Sequence, residues 1–129
     1  MNPRRTLIVT SLVSIVLFTV HWADDVVRGI APGGVSAVVG LLILVVWLYA
    51  VLVLPERRSG LVLLLLGSLL GSGVPILHMT GGGLVGGRIA HSSGVFLWVW
   101  TLLALGATAM LSFLLCVREL WALRPRAAR

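Results

Sequence analysis

Residues 60–79 read GLVLLLLGSLLGSGVPILHM, twenty positions with no ionisable group before the histidine near the end. As an α-helix, at about 1.5 Å of rise per residue, they extend about 30 Å, the thickness of a bilayer's hydrocarbon core. Gly67 and Gly71 stand four residues apart on one face of that helix, and Ser68 and Ser72 repeat the spacing beside them. Lipid supplies no hydrophobic drive for helix association, so close backbone approach at small residues must supply it. Gly67 and Gly71 are therefore the expected packing face. Pro75 removes one backbone hydrogen bond and is expected to bend the last turn, turning His78 inward.

Three further apolar stretches, 6–23, 35–54 and 94–117, flank this one. The chain is 59% hydrophobic and only 11% charged, with a mean hydropathy of +1.10. Four helices that are apolar all round leave too little polar surface for a soluble domain of this size. The expected architecture is all-α: one integral membrane domain over residues 1–129, a four-helix transmembrane bundle with spans 6–23, 35–54, 60–79 and 94–117. The five-residue turn 55–59 makes the second and third spans antiparallel neighbours. Trp22, Trp47, Tyr49 and Trp121 fall near the expected membrane interfaces, where amphipathic rings prefer to sit. Trp98 and Trp100 lie deeper, on opposing sides of the fourth span.

The net charge is +6 and every basic residue is an arginine. Arg4, Arg5, Arg57, Arg58, Arg118, Arg124, Arg126 and Arg129 flank the spans on one side, and only Arg28 and Arg88 lie on the other. Arginine excess in short loops marks the cytoplasmic side, so both termini are expected inside, an N-in/C-in topology. The first stretch resembles a secretory signal, but cleavage after Ala23 would place His21 where a small residue is wanted, so it is read as a retained anchor. The arginines anchor topology and can touch anionic headgroups. They form no binding face for nucleic acid. Cys116 is the single cysteine, which excludes an intrachain disulfide and a multi-thiolate zinc site. Gly81, Gly83 and Gly86 match a Gly-x-Gly-x-x-Gly pattern, but after a membrane helix rather than a strand, so it is read as a loop.

The chemistry-bearing residues gather at the opposite end from the arginines. His21 shares a helix face with Thr10 and Ser14 below it and with Asp25 four residues on; Asp24 borders that face. His78 ends the face that carries Gly67 and Gly71, and His91 precedes the fourth span at the same level. Imidazole nitrogens and carboxylates bind Zn, Fe, Mn or Cu, and i, i+4 spacing lets one helix supply two ligands. The candidate metal residues are thus His21, Asp24, Asp25, His78 and His91. First-shell ligation is expected from His21, His78 and Asp25. Two other readings of the same residues stay open: a proton relay, and a purely structural polar network in which Arg28 or Arg88 pairs with the aspartates. Haem b held by His21 and His78, as in an electron-transfer protein, is a weaker variant because both lie at helix ends.

The run His21-Trp22-Ala23-Asp24-Asp25-Val26-Val27-Arg28-Gly29, with Pro75-Ile76-Leu77-His78-Met79 later, resembles small four-span membrane proteins of bacteria. The resemblance covers nearly the whole chain. It implies a multi-pass protein of the bacterial inner membrane and carries no activity with it. The expectation is a metal-binding protein or metalloenzyme with a shallow, outward-facing His/Asp site. Its rival is a non-catalytic accessory or scaffold subunit that docks a membrane partner, or a second copy, on the Gly67/Gly71 face.

Overall fold

The computed structural model describes residues 2–31, 34–79 and 93–123. Four helices follow one another: α1 (Pro3–Val27), α2 (Val35–Leu52), α3 (Arg58–Met79) and α4 (Val95–Ala122), with no strand among the described residues. α1 starts three residues before the expected span because Asn2 caps it, its side chain accepting from the Arg4 amide at 3.0 Å. Pro3 then takes the first helical position, where a missing N–H costs nothing. α1 also continues past Ala23 to Val27, carrying both aspartates on helix. α2 stops at Leu52, short of Leu54, because the residue before Pro55 is pushed out of helical geometry. α4 runs on to Ala122, five residues beyond the expected end.

α1, α3 and α4 are long and apolar enough to cross a membrane. α2 is more apolar still but shorter, at 18 residues. Their outer faces carry exposed aliphatic side chains such as Val16, Leu42, Leu69 and Leu114, a surface that suits lipid rather than water. α4 is the hub of the bundle, packing extensively against both α1 and α3, whereas α2 rests more lightly on its neighbours.

The small residues of α3 act within the chain. A Cβ on Gly67 would come within 2.7 Å of the Trp47 ring, and one on Gly71 within 3.0 Å of both Trp47 and Ala109. Trp47 is consequently buried against α3 instead of sitting at an interface. Gly67 thus lies against Trp47 of α2, and Gly71 against Trp47 and against Ala109 of α4. Pro75 faces Gly106, where a Cβ would approach its ring to 2.7 Å. The proline ring is thereby seated in a notch on α4.

α1 and α4 are joined by a polar seam. Ser112 donates to Thr10 Oγ1 at 2.9 Å, Ser14 Oγ lies 3.0 Å from Thr108 Oγ1, His21 Nδ1 lies 3.3 Å from Thr101 Oγ1, and Trp98 Nε1 donates to Asp25 Oδ1 at 2.6 Å. The first three contacts step up α1 and back along α4 by equal amounts, and the last by four residues against three, the signature of an antiparallel pair. In a hydrocarbon solvent such hydroxyls and rings must find partners inside the bundle.

Candidate metal centre

The seam ends in a cluster formed by the C-terminal turns of α1 and α3 and the first turns of α4. His21 and Asp25 are almost wholly buried, at 2% and 5% exposure, and Trp98 closes one wall. The site is therefore enclosed within the bundle rather than shallow. The rings of His21 and His78 meet edge-on with centroids 5.0 Å apart, and the Trp98 ring lies 5.2 and 5.3 Å from them.

The hydrogen bonds fix how each ligand points. His78 Nδ1 lies 2.9 Å from the Val74 carbonyl, which can only accept, so this nitrogen carries the proton. Thr101 spends its hydroxyl proton on the Leu97 or Trp98 carbonyl, at 2.9 and 3.1 Å, so His21 Nδ1 donates to Thr101 Oγ1. Both imidazoles thus commit Nδ1 to the surrounding protein and turn Nε2 toward Asp25. His78 Nε2 sits 3.0 Å from Asp25 Oδ2 and His21 Nε2 sits 3.6 Å from the same oxygen. The other carboxylate oxygen is held by the Trp98 indole.

Two consequences follow from this wiring. His78 Nε2 and Asp25 Oδ2 are both acceptors unless one proton lies between them. His21 Nε2 is buried and makes no hydrogen bond, a costly arrangement for a polar atom in an apolar bundle. One ligand atom each from His21, Asp25 and His78 fall within 4.8 Å of one another. Ligands about 2.0–2.1 Å from a tetrahedral metal stand about 3.3 Å apart, close to the 3.0 and 3.6 Å separations here. Outer partners that fix each imidazole and the carboxylate are also what metal ligands require.

Asp24 does not join them. It points away from the seam and forms an i, i+4 ion pair with Arg28, whose Nε lies 2.6 Å from Asp24 Oδ2. The side chain one position along a helix is rotated by about 100°, and only one of two adjacent aspartates can face the interior. His91 lies outside the described residues, as do Arg88 and the glycine-rich loop. Trp98 and Thr101 also contact the cluster, and the sequence reading passed over them. Trp98 was expected only to oppose Trp100, which is indeed on the exposed side of α4. The available signal was the spacing of Thr101, Thr108 and Ser112, a polar line on α4 answering the one on α1. Comparison with protein-family models, with curated proteins and with solved structures gave no match.

Proposed function

We propose that this chain is a multi-pass membrane protein that binds one transition-metal ion through His21 Nε2, His78 Nε2 and Asp25 Oδ2. The observation that carries the reading is the buried, unpartnered His21 Nε2 beside a second imidazole nitrogen and a carboxylate oxygen. Two imidazoles and one carboxylate suit Zn, Fe(II) or Mn, and the set leaves coordination positions for an exogenous ligand. That open position is what a metalloenzyme needs, and a binding protein would fill it with water. A bare ion is favoured over haem because the two rings meet at 5.0 Å with Asp25 bonded to one of them. Axial ligation would place a macrocycle between them. The arginine distribution supports an N-in/C-in arrangement in a bacterial inner membrane, with the cluster at the outer end.

The test is metal analysis of detergent-purified protein, then titration of the stripped protein with Zn, Mn, Fe(II) and Cu. About one equivalent should bind to wild type, and H21A, H78A and D25N should each lose it while keeping their helicity. Failure of the wild type to take up any of these ions sinks the proposal. A second reading rests on the 3.0 Å His78–Asp25 contact, which closes with one shared proton and no metal. In that case the cluster is a structural lock among α1, α3 and α4 in an accessory subunit. H78A would then destabilise the bundle without any metal to lose.

A further inference from the structure

A second polar site lies deeper in the bundle. Ser11 Oγ, Trp47 Nε1 and Ser68 Oγ are buried side-chain atoms with no hydrogen-bond partner. They come from α1, α2 and α3 respectively. Register places them on one layer. Thr10, the neighbour of Ser11, accepts from Ser112 on α4. Gly71 lies against Ala109, so one turn back along α3 brings Ser68 level with Ser112. The Trp47 ring lies over Gly67, the neighbour of Ser68, with its Cδ1 within 2.8 Å of where a Cβ would stand. Ser11 is ten residues below His21, about 15 Å along the helix, so this layer is separate from the metal cluster.

The donor set selects the occupant. An indole N–H can only donate, whereas each serine hydroxyl can donate or accept. A cation cannot accept from the indole, and the three groups offer no charge to hold an anion. An acyl chain satisfies none of them. Water accepts from Trp47 and still has two protons for the hydroxyls, and buried waters commonly make about three such bonds. We propose that one ordered water molecule is bound here, accepting from Trp47 Nε1–H and donating to Ser11 Oγ and Ser68 Oγ. It ties together three helices whose outer faces are mainly aliphatic, on the layer where Ser112 bonds the fourth to α1.

Two measurements on the full-length protein in micelles test this. Cross-relaxation between the Trp47 indole proton and water should reveal a long-lived neighbour, and S68A should weaken that signal. Unfolding equilibria of S11A, S68A and the double variant should be coupled, because each removes a partner of the same molecule. The double variant should fall short of the product of the single effects by at least about twofold. Absent cross-relaxation overturns the proposal, whether or not the serines are coupled, since coupling alone would mean a direct Ser11–Ser68 bond. Strictly multiplicative effects overturn it as well, because the serines would then share nothing.

Discussion

Replacing Trp98 with phenylalanine tests the metal centre through a residue that does not itself ligate. The substitution keeps an aromatic ring against His21 and His78 but deletes the indole N–H that holds Asp25 Oδ1 at 2.6 Å. A hydrogen bond to a charged group contributes about 1.5–3 kcal/mol, which corresponds to about 10–150-fold in an equilibrium constant at room temperature. Loss of an outer partner of a metal ligand typically costs about 10–100-fold in affinity, so the two estimates agree. W98F should therefore weaken metal binding by about 10–100-fold while leaving the stoichiometry at one. The assay is competition with a chelator of known affinity, run beside W100F as the control. Trp100 is 62% exposed and stacks only on Phe96 among the described rings, so W100F should bind as wild type does. If W98F retains wild-type affinity, Asp25 needs no outside support and the reasoning from its hydrogen bonds fails.

The remaining expectations are narrower. D24N should leave metal stoichiometry intact and cost at most about 1 kcal/mol of stability, because its ion pair with Arg28 is partly exposed; loss of metal in D24N would return Asp24 to the ligand set. G67A should destabilise by about 1–3 kcal/mol, since the new methyl group meets the Trp47 ring at 2.7 Å, and denaturant titration in mixed micelles reads this directly. Lowering pH should release the metal, because protons compete for the Nε2 lone pairs of His21 and His78; metal retained unchanged in strong acid would point to other ligands.

The helices and the polar stripe of α1 were legible because both signals are local. A run without charges has only one stable form in lipid, and Thr10, Ser14, His21 and Asp25 repeat at helical spacing on a background of leucine and valine. His78 was legible as a neighbour because Pro75 and the small residues of α3 mark its face. The choice between Asp24 and Asp25 was harder, since it depends on how α1 is rotated against α4. The part played by Trp98 depends on the same rotation from the other side. Before Arg118, α4 is apolar all round apart from its hydroxyls, so periodicity alone could not say which of Trp98 and Trp100 turns inward. Trp47 was misplaced for a related reason: a tryptophan near a span's end reads as interfacial until two glycines on another helix make room for it.

The paired rungs along α1 and α4 also restrict how this protein can move. Sliding either helix by one turn would part Thr10 from Ser112, Ser14 from Thr108, His21 from Thr101 and Asp25 from Trp98 together, and only some would find new partners, as where Ser14 came level with Ser112 and Asp25 with Thr101. Vertical piston strokes between these two helices are thereby opposed. A way into the buried cluster of His21, Asp25 and His78 is opened more readily by tilting of α2, the helix that rests most lightly on its neighbours.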